Sequence, residues 1–211
     1  EYAPTSREIL SRKQSWGVIM ASFFLDPIWW LFVGWLPLYL NETYGFGVAE
    51  IARFAWIPYV GAMFGAWFGG LLAQNRISAG WTVNKARKFV ISLGGLIMLV
   101  SLLMTIKAAT PIIAVLLMAA ILFGFQTAVG NIQTLPSDFY SGKSVGSLAG
   151  FAGTAAKLAV VLLNFLIPVI TVNSYAPAFA VGAALAILTV LSVWILCGKI
   201  QPLSPRSTGS V

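Results

Sequence analysis

The stretch WGVIMASFFLDPIWWLFVGWLPLYL, residues 16–40, runs for 25 positions with a single charge, Asp26. A helix needs about 20 apolar residues to cross a hydrocarbon core of ~30 Å, so this run is long enough to span one. Working outward, further apolar runs at 51–73, 89–106, 111–135, 145–172 and 176–197 bring the number to six. Backbone groups in lipid must pair within their own segment, and the runs lack the alternation of barrel strands, so helices are the form left to them. The expected fold class is all-α, an integral membrane six-helix bundle over 16–198. It is preceded by a polar cytoplasmic linker, 1–15, and followed by a disordered cytoplasmic tail, 199–211, rich in Pro, Ser and Gly.

Composition agrees. Of 211 residues, 59% are hydrophobic and 9% charged, whereas a soluble domain has about a quarter of its residues charged. There is no histidine, which removes imidazole bases, His-dependent triads and most zinc sites, so neither an enzyme nor a metal or other cofactor is expected. The one cysteine, Cys197, lies in an apolar run, where a buried small hydrophobe is favoured over a reactive thiol. The net charge of +7 could suggest nucleic acid, but the basic residues follow membrane topology instead. Arg7, Arg12, Lys13, Arg76, Lys85, Arg87, Lys88, Lys143, Lys199 and Arg206 fall on one side of the bilayer, while Arg53 and Lys107 fall on the other. That imbalance puts both termini in the cytoplasm and gives no reason to expect a nucleic-acid partner. The polar start has no signal peptide pattern, and the absence of an initiator Met suggests a fragment or a processed piece.

Two charges lie deep. Asp26 is about 15 Å along the first helix and Lys157 about 18 Å along the fifth, at 1.5 Å per residue. Each costs about 2.5–3.5 kcal/mol at a helix centre, so each should face a cavity or the other. Asp26 precedes Pro27, a pairing that also caps a broken helix. Lys157 is readable as a cationic anchor for an anionic solute, as the ion-pair partner of Asp26, or as a snorkelling side chain. It shares a helical stripe with Gly146, Gly150, Gly153, Asn164 and Pro168. The fourth helix ends in a polar run that includes Gln126, Asn131 and Gln133, suited either to a polyhydroxylated solute or to interhelical hydrogen bonding. Trp29 and Trp30 lie one turn beyond Asp26, placed either to stack on a sugar-like face or to pack. Gly61, Gly65 and Gly69, at strict four-residue spacing, form a small-residue groove, and Gly146 and Gly150 are read as a second packing stripe. Polar, proline-interrupted first and fourth helices, glycine-rich second and fifth, and plain third and sixth form the pattern of a three-plus-three inverted repeat.

Three motifs carry a resemblance. Asp26-Pro27-Ile28-Trp29-Trp30 with Trp35-Leu36-Pro37, then Gly80-Trp81-Thr82-Val83-Asn84-Lys85-Ala86-Arg87-Lys88, then Thr134-Leu135-Pro136-Ser137-Asp138-Phe139 with Val145-Gly146-Ser147, occur in the order seen in one family. The chain resembles the major facilitator superfamily, in its anion:cation symporter branch of hexuronate and sugar-acid transporters. The resemblance implies that the six helices are the C-terminal half of a twelve-helix carrier whose N-terminal half is missing here. It further implies proton-coupled movement of a sugar acid, an organic anion, across the inner membrane by alternating access. In that family the proton-coupling acids and anion-binding arginines lie mainly in the N-terminal half, while tenth- and eleventh-helix polar groups contact the sugar; Gln126, Asn131 and Thr154 match those positions. Lys157 departs from the family's usual small or apolar residue. A reading from another class is a self-contained six-helix channel or membrane subunit that dimerises through the Gly61, Gly65, Gly69 groove.

Overall fold

The structure, a computed structural model, describes residues 4–204. In chain order the elements are α1 (Ser6–Ser11), α2 (Lys13–Tyr44), α3 (Val48–Phe54), α4 (Ile57–Ser78), α5 (Val83–Thr105), α6 (Pro111–Gln133), α7 (Leu135–Phe139), α8 (Lys143–Ile170) and α9 (Ala176–Leu191), the last continuing into a π-helical turn, Ser192–Leu196. Among the described residues there is no strand. Six helical stretches are long and apolar enough to cross a membrane, so the chain is a multi-pass membrane protein with an all-α bundle. Successive spans alternate in direction, and the start of α2, the end of α4 and the starts of α5 and α8 meet at one end, here the basic end.

The boundaries follow from local chemistry. Pro58 has no N–H to give to a carbonyl one turn earlier, so the second span is broken between α3 and α4 at Ala55 and Trp56. Pro27 and Pro37, by contrast, both lie inside α2, which continues to Tyr44. Asp26 therefore does not cap a broken segment. Contacts with α8, α9 and α6 along its length hold the helix through both prolines, as neighbours do for proline in membrane helices. The leading segment holds a short helix, α1, whose Thr5 and Glu8 form a capping box.

The tail also differs from the expectation of disorder. Ile200 N donates to Asn84 Oδ1 at 2.9 Å, Leu203 N to Phe139 O at 2.9 Å, and Arg12 Nη2 to Ser204 O at 2.8 Å. These bonds pin 200–204 to the basic end. Residues 205–211 lie outside the described residues.

The tightest packing centres on α6, which lies between α4 and α5. A Cβ on Gly61, Gly65 or Gly69 would collide with the backbone of Ala119, Phe123 or Thr127, and one on Gly94 with Gly124. The matched four-residue steps on α4 and α6 let two backbones touch over two turns, the small-residue mode of association in lipid. Thr127 Oγ1 donates to Gly65 O at 3.2 Å across the same seam. The groove is thus filled by the chain's own α6, and dimerisation through it, the alternative reading, has no surface left. Gly146 and Gly150 are a correction of another kind: a Cβ on either would meet nothing within 4 Å, because that stripe of α8 faces away from the other helices. They are not packing positions within this chain. Cys197 is buried against Gly17, where a Cβ would strike its sulfur.

Replacing Gly65 by Leu is expected to lower stability by about 3 kcal/mol, the upper end of overpacking penalties, since the opposing atoms are backbone. Gly146→Ala should stay within about 0.5 kcal/mol of the parent. Thermal unfolding of the purified protein in detergent compares the two.

Candidate functional site

Two cations and two carboxylates organise the interior. On α2, Asp26 meets Lys157 of α8, with Nζ to Oδ2 at 2.6 Å. The Lys157 ammonium also lies 5.2 Å from the centre of the Trp30 ring, a cation–π distance. Pairing offsets the cost of two charges at this depth, yet neither is sealed: the Lys157 side chain is 62% exposed and that of Asp26 24%. An ammonium carries three donors, so one bond to Asp26 leaves capacity for a second anion.

The pair sits where two cavities meet. The first, about 530 Å³, is lined by Asp26, Trp29, Trp30, Arg87, Gln126, Asn131, Gln133, Thr134 and Lys157, with Ala66, Gly70 and Gly130 leaving the space. The second, about 430 Å³, shares Asp26, Lys157, Val129 and Gln133, and passes Ser22, Pro136 and Ala149 toward the basic end. Gln126 and Gln133, two turns apart on α6, look into the first cavity. Among the described residues neither side-chain amide makes a hydrogen bond, so both donors and acceptors are open to whatever fills the space. Trp30 is exposed to the cavity beside Lys157, whereas Trp29 is partly buried, with its ring 5.4 Å from Phe125 and 6.0 Å from Tyr59. Of the two tryptophans, Trp30 offers a ring face to a ligand and Trp29 packs.

Three of the expected residues have side chains already engaged within the chain. Asn131 is 2% exposed, and its amide is committed: Oδ1 accepts from Arg87 Nη1 at 3.0 Å, while Nδ2 lies 3.2 Å from Thr127 O and 3.3 Å from Gly69 O. Helical spacing rotates it off the Gln126 face and toward α4 and α5. Asn131 therefore bridges helices and has no polar atom to spare for a solute. Thr154, on α8, donates to Gly150 O at 2.9 Å, and Asn164 accepts from Trp35 Nε1 at 3.4 Å while donating to Val160 O at 3.0 Å. Neither lines the two cavities. Both are exposed on α8.

Sequence reasoning missed Arg87 and Asp138. Arg87 looked like one more topological charge, but its guanidinium reaches back from the first turns of α5 to line the first cavity, with Nε 3.0 Å from Asp138 Oδ2 of α7. The available signal was Asp138 itself, an acid among the basic residues of that end. At the opposite end, Tyr175 donates to Glu42 Oε2 at 2.7 Å, linking the last turn of α2 to the start of α9. Burial first, and then that hydrogen bond, hold the Tyr175 phenol well above its ordinary range.

Comparison with known proteins places this geometry. The family model described as Major Facilitator Superfamily matches residues 2–164. A hexuronate transporter of Escherichia coli (strain K12) is 31% identical over 191 residues, covering 89% of this chain and 44% of that protein. A galacturonate transporter of Dickeya chrysanthemi is 38% identical over 95 residues, 44% of this chain and 27% of that protein. A probable galactarate/D-glucarate transporter of Escherichia coli (strain K12) is 30% identical over 118 residues, 56% of this chain and 26% of that protein. The chain spans less than half the length of these curated relatives. Six apolar spans, an ion pair between two of them that borders two cavities, and a family match over most of the chain lead to one conclusion: the chain belongs to the Major Facilitator Superfamily.

Proposed function

We propose that the chain is the C-terminal six-helix half of a secondary active transporter that carries hexuronate or a related sugar acid across the inner membrane, coupled to protons. Transport proceeds by alternating access, an N-terminal six-helix half supplying the facing wall, with both termini in the cytoplasm as the Lys and Arg imbalance directs. The observation that carries this reading is the Asp26–Lys157 pair, set between two cavities and flanked by the unengaged amides of Gln126 and Gln133. The names of the relatives agree with it.

Each group has a task that its chemistry suits. Lys157 offers its remaining donors to the substrate carboxylate, a charge-assisted bond about twice as strong as a neutral one. Gln126 and Gln133, each both donor and acceptor, match hydroxyls of either polarity. Trp30 supplies a ring face beside the anchoring charge for the apolar face of a sugar. Asp26 keeps Lys157 neutralised while the site is empty, which lowers the cost of holding a cation at mid-membrane. Arg87, held by Asp138 and Asn131, adds positive potential to the cavity without leaving its own partners.

Full-length carrier in vesicles should accumulate labelled glucuronate or galacturonate when an inward proton gradient is imposed; no gradient-dependent uptake of any sugar acid rejects the proposal. Lys157→Met combined with Asp26→Asn, which removes the anchor without stranding a carboxylate, should raise KM for the anion by about tenfold or more at unchanged membrane abundance. Gln126→Ala and Gln133→Ala should each raise KM about fivefold, one hydrogen bond's net contribution of about 1 kcal/mol. Their uptake kinetics test the role of the amides separately from that of the charge.

A further inference from the structure

On a different face of α5 from the cavity, Lys88 carries a cation that the transport site does not use. Its residue exposure is 8%, yet among the described residues its ammonium has no ion pair and no hydrogen bond. The ammonium lies over the ring of Trp194, with Nζ 4.6 Å from the centre. The aliphatic stem is buried while the ammonium reaches the surface, the way a long cationic side chain lays its methylenes along apolar neighbours and keeps its head accessible to an anion. At the sixth position of α5, Lys88 lies about 8 Å from the helix start, the depth at which headgroups give way to acyl chains.

Directly beyond Lys88, α5 and the sixth span leave an apolar groove of about 200 Å³, with Ser92, Gly95, Leu96, Leu99, Ile187 and Val190 on its walls. It extends about 10 Å from Ser92 to Leu99 along the helix axis. Gly95 sets its depth, because a Cβ there would strike Val190. The upper walls are apolar and open, with Leu96 55% and Ile187 44% exposed. At the Lys88 end the π-helical turn, a feature enriched at functional sites, carries Trp194. Trp194 is 52% exposed, and its Nε1 donates to Ser92 Oγ at 2.9 Å. The indole is thereby fixed as a shelf between the ammonium and the groove. One turn nearer the basic end, Lys85 lies 4.2 Å from the Trp81 ring centre and Arg76 5.1 Å from it, so further positive charge stands at the same end.

We infer that this groove binds one anionic phospholipid, with its headgroup phosphate on the Lys88 ammonium and one acyl chain along the α5–α9 channel. Charge complementarity selects the occupant. The cation is unpaired, it lies at headgroup depth, and the apolar channel starts one turn above it, the arrangement by which basic pockets at the cytoplasmic side of membrane helices hold acidic lipids. A soluble anion would satisfy Lys88 and leave the channel unfilled; a neutral lipid would fill the channel and leave Lys88 unpaired. The inference stands apart from the proposed transport activity, since the residues of this groove line neither cavity.

The test is lipid retention by the purified protein, read by native mass spectrometry during titration with dioleoylphosphatidylglycerol or dioleoylphosphatidylcholine. One phosphatidylglycerol should be retained at least about fivefold more tightly than phosphatidylcholine, the ratio set by about 1 kcal/mol per basic residue near the surface. Lys88→Gln should abolish that preference, whereas Lys107→Gln, at the other end of the bundle, should keep it. Leu96→Trp, which fills the channel and leaves Lys88 in place, should reduce retention of both lipids. Equal retention of the two lipids by the parent protein, an unchanged preference in Lys88→Gln, or an equal fall in Lys107→Gln would each overturn the site. Circular dichroism of each variant establishes that the helices are intact, and Leu96→Trp keeps the test open should Lys88→Gln not fold.

Discussion

A carboxylate and an ammonium at mid-membrane depth can be stabilised by each other or by water; Asp26 and Lys157 pair with each other and border two cavities. Their bond ties α2 to α8 across the interior, and their partial exposure to two cavities keeps a polar passage next to it. If either charge were turned to the acyl chains, the other would be stranded, and Gln126 and Gln133 would line no wetted space. The ion pair is therefore a structural link and a chemical asset at once. It holds two spans together and leaves donors of Lys157 unfilled.

The helix that makes room for this is α6, whose faces have separate tasks. Ala119, Phe123 and Thr127 receive the glycines of α4, and Gly124 receives Gly94 of α5, so those contacts are made at backbone distance. Gln126, Gly130 and Gln133 are left facing the cavity. Close packing on two sides frees the third. Asn131 marks the border: it lines the cavity, but its amide is spent on Arg87 and on backbone carbonyls of α4 and α6. A buried amide with every partner in place rigidifies the wall that its neighbours use.

The spans were legible in the sequence because apolar length is set by bilayer thickness and needs no knowledge of neighbours. The Gly61, Gly65, Gly69 spacing was equally legible as a contact surface, although which helix fills it was not, and a second copy of the chain was one answer until α6 was seen to occupy it. Gly146 and Gly150 carry the same signature and meet nothing, since small residues on a stripe permit approach without supplying a partner. Arg87 and Lys88, adjacent in the chain, looked alike as topological charges. Helical rotation of about 100° between them sends Arg87 into the cavity and Lys88 to a different face.

Sequence alone determined what the bilayer demands: six apolar helices, a basic end, and two deep charges that had to be paired or wetted. Those follow from the transfer cost of single groups, which each residue carries with it. Tertiary structure alone decided that Asp26 pairs with Lys157 instead of capping a helix, that Asn131 is committed while Gln126 and Gln133 are open, and that Lys88 heads an apolar groove. Such outcomes depend on which side chains compete for the same partner, and that competition exists only after the helices have packed.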